Sequence, residues 1–166
     1  MMINDNEFKL WFDAFEKDFG NGLTLVKVNT PAQFNDAMYI RVKVFIEEQK
    51  IKVEDEYDIN ELDYTSFVLY KNGEKVATLR YKIDKVKRMA TIGRIAVLKE
   101  YRGQGYAKLM INYVEELLTF KYRPLTITIG GQHHLKAYYE SLGYIVEGEP
   151  YYDADILHYH LIKEIK

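Results

Sequence analysis

The chain has 166 residues, 48% of them hydrophobic and 29% charged, with a formal net charge of −2, a composition suited to one soluble globular domain with a real core. No apolar run reaches the length of a membrane helix, the polar, acidic N-terminus does not read as a secretion signal, and the cytoplasm is the expected location. The absence of cysteine excludes disulfides, thiolate metal sites and a cysteine-linked acyl-enzyme.

Glu7 to Phe19 carries Phe8, Trp11, Phe12, Phe15 and Phe19 at helical spacing, with Gly20 and Gly22 as stop signals. Leu23 to Val28 reads as a first strand. Thr30-Pro31 places a cap before a proline and predicts a helix running to about Gln49. Between Glu47 and Asp63 eight acidic residues face two lysines, a net of −6 that leaves +4 on the remainder. Such a run is either a solvated loop or an acidic wall that draws in a cation. No basic stripe with interleaved aromatics suggests a nucleic-acid partner.

Thr65 to Tyr70, the Asn72-Gly73 turn signal and Lys75 to Asp84 predict a hairpin. In the next strand, Ala90 to Leu98, the apolar residues Ala90 and Ile92 sit at even positions and Ile95 and Val97 at odd ones. That parity switch near Gly93-Arg94 implies an inserted residue, a β-bulge, unless the strand is buried on both faces. A helix over Gly103 to Phe120, a central strand Leu125 to Ile129, a short helix Gln132 to Leu142 and an antiparallel pair, Tyr144 to Val146 with Ile156 to Ile162, complete the chain. The order implies an α/β domain with a mixed sheet and one clear parallel crossover.

The chemistry concentrates at the handover from strand to helix. Gly103 and Gly105 let backbone amides approach an anion, the following helix adds unpaired N–H groups, and Arg102 and Lys108 bring positive charge. Such a site suits a phosphate or pyrophosphate. It lacks the third glycine of a dinucleotide fingerprint and the lysine-serine/threonine end of a Walker loop.

Arg102-Gly103-Gln104-Gly105-Tyr106-Ala107 matches the R/Q-x-x-G-x-G/A signature, and on it the chain resembles the GCN5-related N-acetyltransferase (GNAT) family. Arg41-Val42-Lys43-Val44-Phe45-Ile46-Glu47-Glu48-Gln49 and the segment Gln132 to Tyr144 are similar to patterns of its ElaA-like branch. The resemblance covers residues 23–166 and leaves residues 1–22 as a helical extension. It implies a mixed central sheet with an antiparallel meander, a splayed parallel strand pair and flanking helices. It further implies acetyl-CoA as co-substrate, with the pantetheine arm along Ile95, Ala96 and Val97 and the pyrophosphate on the amides from Arg102 through Gly103, Gln104, Gly105, Tyr106 and Ala107 to Lys108. Gln132 falls where the family has a cofactor-contacting asparagine, and Tyr139 where it has its general acid; Tyr138 is the neighbouring competitor.

The activity so implied is direct acetyl transfer to a primary amine, small and cationic, with backbone amides freed near Ile95 stabilising the oxyanion. A non-catalytic acyl-CoA sensor or interaction module is the alternative. His134 and His158 match histidines of the ElaA-like pattern and are candidates for the general base. Glu47, Glu48 and Glu56, together with Arg94, are candidates for orienting the acceptor. The adjacent His133 and His134 lack metal-site spacing, so no metal is expected. The acceptor is set by loops rather than fold, and the oligomeric state is open, a homodimer included.

Overall fold

The computed structural model describes residues 14–166. Its sheet has nine strands, built from β1 (Glu16–Asp18), β2 (Leu23–Lys27), β3 (Thr65–Lys71), β4 (Glu74–Asp84), β5 (Met89–Val97), β6 (Leu125–Gln132), β7 (Ile145–Val146), β8 (Tyr151–Asp153) and β9 (Ile156–Ile165). The order is β1-β2-β3-β4-β5-β6-β9-β7, with β8 also paired to β9. Every pairing is antiparallel except β5 with β6. The expected mixed α/β architecture, its hairpin at Asn72-Gly73 and the antiparallel pair near the C-terminus are all present.

The N-terminal expectation needs correction. Helical spacing continues through Phe19, yet Glu16–Asp18 is an edge strand whose register pairs Lys17 with Leu25. Gly20 turns at φ 80 and Gly22 at φ 74, reversing the chain so that this segment lies on β2. The spacing that suggested a helix was outweighed by edge pairing. The earlier part of the expected helix, residues 7–13, lies outside the described residues.

The helix after Thr30 is real but changes character along its length. α1 (Pro31–Arg41) opens on a capping box in which Thr30 Oγ1 accepts from the Gln33 amide and Gln33 Oε1 accepts from the Thr30 amide. It then widens into a π-helical stretch, Val42–Glu48, ending at Gln49, whose amide donates to the Val44 carbonyl. Extra residues per turn re-aim the side chains that follow, and π-helical segments occur often at functional sites. Here the re-aimed residues are Glu48 and Gln49.

Apolar residues bury on both sheet faces. One core packs the long helix α3 (Tyr106–Tyr122) onto Leu69, Leu79, Ile92, Ile127 and Ile129 through Met110, Ile111, Val114, Leu117 and Leu118. A smaller core packs Ile40, Val44 and Phe45 against Val68, Ala96 and Leu98. Two short helices, α2 (Val53–Glu56) and α4 (Lys136–Ser141), lie close to the site.

The parity switch in β5 is a bulge. Thr78 pairs with Ala96 and Arg80 with Gly93, so Leu79 of β4 stands opposite two residues, Arg94 and Ile95. Arg94 takes up the irregularity at φ 50. Beside it the parallel pairing of β5 and β6 runs only from Met89–Thr126 to Ile92–Ile129. Past Ile92 the two strands part, while β6 continues on β9 as far as Gln132–His158. The opening between them is the feature on which the site is built.

Candidate active site

Two cavities meet at this opening. The larger, about 470 Å³, runs beside Ile95, Ala96 and Val97 to the glycine loop at Arg102, Gly103, Gly105, Tyr106 and Ala107. The smaller, about 100 Å³, lies beside Arg94, Gly130, Gln132, Asp153 and His158. Gln49, Ile95, Leu135 and Tyr139 line both, so a molecule in one reaches a molecule in the other past these four residues.

The glycine loop has the backbone of an anion cradle. Gly103 and Gly105 take φ 77 and 78, a left-handed conformation that costs side-chain-bearing residues. Gly105 is the N-cap of α3. Among the described residues none of the amides from Gly103 to Lys108 donates to another backbone group. These free donors stand at the positive end of a 17-residue helix.

Arg102 is committed differently from the sequence expectation. Its Nε donates to the Val97 carbonyl at 3.0 Å, and its two terminal nitrogens grip Glu48 at 2.7 and 2.8 Å. Hydrogen bonding from Arg102 holds the Glu48 carboxyl below the usual carboxylate range. Gln104 and Lys108 line neither cavity. The Gln104 side chain instead accepts from the Tyr106 hydroxyl at 3.0 Å.

Tyr139, on α4, is 5% exposed. Burial, with a lesser contribution from Tyr138, pushes its phenol well above the ordinary range. Tyr138 is half-buried and lines only the larger cavity. His134 is exposed at the same cavity, whereas His158 is buried beside the smaller one. Gln132 Nε2 donates to Gln49 Oε1 at 2.7 Å, a bridge across the mouth of the opening.

Three carboxylates of the acidic segment, Glu56, Asp58 and Glu61, turn inward, while Glu47, Glu48, Glu54, Asp55 and Asp63 are exposed. Glu56, 2% exposed, binds Arg41 at 2.6 Å and Arg94 at 3.0 Å. Glu61 joins Arg41 at 2.7 Å to Arg80 at 2.5 Å, and Asp58 binds Arg80 at 3.1 Å. Glu47 pairs with Lys43 on the surface and lines neither cavity. Glu48 is engaged by Arg102, so of these carboxylates Asp55, with Asp153 from β8, is left exposed at the smaller cavity.

Gln49, Leu135 and Asp153 were not among the residues singled out for the site by sequence. Gln49 carried a signal, as the last residue of the ElaA-like pattern at a helix end. Leu135 carried one as well, inside the ElaA-like segment Gln132 to Tyr144, whereas Asp153 carried none, because it reaches the site through the β8–β9 pairing.

Comparisons with known proteins agree with this geometry. The family model described as acetyltransferase (GNAT) domain matches residues 33–165. The protein YyaT of Bacillus subtilis is 32% identical over 149 residues, covering 86% of this chain and 97% of YyaT. ElaA of Escherichia coli is 28% identical over 137 residues, 81% of this chain and 89% of ElaA. Its crystal structure superposes with a TM-score of 0.76, covering 86% of this chain and 99% of that one at 26% identity. An acyl-CoA N-acyltransferase from Pseudomonas aeruginosa gives a TM-score of 0.75 at 25% identity, covering 85% and 97%. The chain belongs to the GNAT acetyltransferase family, in its ElaA-like branch.

Proposed function

We propose that this protein transfers the acetyl group of acetyl-CoA directly to a primary amine on a small, cationic acceptor. The observation that carries the reading is the meeting of two cavities at Tyr139 and Ile95, one ending in an anion cradle and the other bordered by exposed carboxylates. Membership of the family, and a structural relative named as an acyl-CoA N-acyltransferase, support it.

The residues fit coenzyme A. The free amides of Gly103 to Lys108 suit two linked phosphates, and the unpaired edge of β5 beyond Ile92 suits an extended arm bearing amides. Acetyl-CoA supplies a thioester whose carbonyl is open to attack.

The protein's part is placement, charge stabilisation and proton supply. The bulge at Arg94 and Ile95 interrupts the regular ladder beside the junction, where backbone donors would meet the negative charge that develops on the carbonyl oxygen. Tyr139 remains protonated at neutral pH because burial disfavours its phenolate. It is therefore able to give a proton to the departing sulfur. Asp55 and Asp153 attract the acceptor's cationic group, and the cytoplasm is the proposed setting.

Calorimetry with coenzyme A and acetyl-CoA, followed by an amine panel with thiol detection, tests the reading. Binding together with turnover on at least one polyamine, amino sugar, amino acid or peptide N-terminus is expected. Binding without turnover on any of them would instead support an acyl-CoA sensor.

A further inference from the structure

We infer that His158 is the general base that takes the proton from the acceptor amine, an assignment that rests on the acetyl-transfer reading above. His158 stands on β9 in register with Gln132 of β6 and Tyr151 of β8, on the wall of the smaller cavity that also admits Tyr139.

Its ring is oriented by two contacts. Nδ1 lies 2.7 Å from the Ile156 carbonyl oxygen. A carbonyl only accepts, so in the neutral ring Nδ1 carries the hydrogen and Nε2 the lone pair. Among the described residues Nε2 has no hydrogen-bond partner. The Tyr151 ring stacks on the imidazole at 5.7 Å between centroids and 24° between planes, which restrains its rotation.

The other groups of that cavity serve less well. Glu56 is held by two guanidinium groups, so its carboxylate oxygens are already committed to ion pairs. Asp55 and Asp153 are exposed carboxylates, assigned above to the acceptor's cationic group. Tyr139 is the proton donor. His134 borders the cofactor-side cavity and not the acceptor side. An imidazole is the side chain best matched to proton transfer near neutral pH.

The step balances as follows. As the amine nitrogen bonds to the carbonyl carbon, His158 Nε2 takes the N–H proton. The C–S bond then breaks, its electron pair leaves with sulfur, and sulfur takes the Tyr139 hydroxyl proton. Transfer of a proton from the imidazolium to the phenolate through solvent restores both groups.

The test compares wild type, His158→Ala, His158→Gln and His134→Ala on the best acceptor of the amine panel. For His158→Ala, kcat/KM should fall about 10²- to 10⁴-fold, with coenzyme A affinity within about twofold of wild type. Added imidazole should restore part of the rate, a response that a merely structural role does not produce. His134→Ala, at the wall of the cofactor cavity, should lose much less than His158→Ala and should not respond to added imidazole. If His158→Ala does not bind coenzyme A, His158→Gln becomes the test variant, with the same loss expected. Wild-type turnover beside an undiminished His158 variant overturns this assignment alone. So does a loss in cofactor-binding His158→Ala that imidazole leaves unchanged, or an equal loss in His134→Ala. A wild type that binds acetyl-CoA but acetylates nothing overturns the acetyl-transfer reading and this one with it.

Discussion

The ring of Tyr139 lies against the backbone of Gly131: a Cβ at Gly131 would stand 2.8 Å from Tyr139 Cδ2 and 2.9 Å from Cε2, with Leu161 Cδ1 at 2.7 Å. The strand β6 thus yields space at one residue so that a side chain from α4 reaches the junction of the two cavities. Tyr139→Phe keeps that packing and removes only the hydroxyl. Turnover should fall about 10²-fold or more, with coenzyme A affinity nearly unchanged in calorimetry. Gly131→Ala keeps the hydroxyl and displaces the ring; it should also lower turnover, and overpacking should cost about 1–3 kcal/mol of stability by denaturant titration.

Gly105→Ala probes the anion cradle. A Cβ there meets nothing within 4 Å, so the cost comes from φ 78 at the N-cap of α3, about 1–2 kcal/mol if that conformation is kept. If the loop relaxes instead, its amides swing away from the phosphates. Coenzyme A affinity should fall about tenfold or more, as for lost charge-assisted hydrogen bonds. Pantetheine, which lacks the pyrophosphate, should bind the variant as it binds wild type; an equal loss for both ligands would remove the cradle's assignment.

The inward-facing acidic network predicts a steep contrast between two glutamates. Glu56→Ala leaves Arg41, 3% exposed, and Arg94 short of a partner, and breaking a buried ion pair costs about 3–5 kcal/mol. For a domain of this size that lowers Tm by about 10 °C. Glu47→Ala breaks the exposed pair with Lys43 and should shift Tm by about 1–2 °C at most, since surface pairs contribute little. Differential scanning calorimetry checks both.

Stability should also fall on the acid side through groups that can be named. The Asn60 amide, assisted by Arg80, holds the Asp58 carboxyl below its ordinary range, and Arg102 does so for Glu48. A carboxylate depressed in the folded state contributes stability that is present above its unfolded pKa and is lost as pH falls through the folded one. Tm should therefore be flat from neutrality to about pH 5 and decline below about pH 4. Asp58→Asn should make that decline shallower, while an unchanged slope would show that other carboxylates govern it.

The bulge in β5 was legible because side-chain parity is a local property: Ile92 and Ile95 lie on the wrong count for an unbroken strand, and only an inserted residue reconciles them. The glycine loop was legible for a similar reason, since Gly103 and Gly105 mark a left-handed backbone beside a helix start whatever the rest of the chain does. Tyr139 became a candidate through resemblance, because one tyrosine among 15 carries no local mark of its own.

Other features depended on partners distant in sequence. A run of carboxylates reads alike whether it faces water or arginine, and only the fold brings Arg41, Arg80 and Arg94 beneath Glu56, Asp58 and Glu61. Arg102 turned toward Glu48, 54 positions earlier, for the same reason. Strand Glu16–Asp18 needed β2 beside it to exist. By itself the sequence determined where the backbone must kink and where it must bare its amides, since those are matters of local sterics. The tertiary structure decided which charges neutralise one another and that His158 and Tyr139 border one cavity, since Coulomb interactions and packing act between groups that only folding brings together.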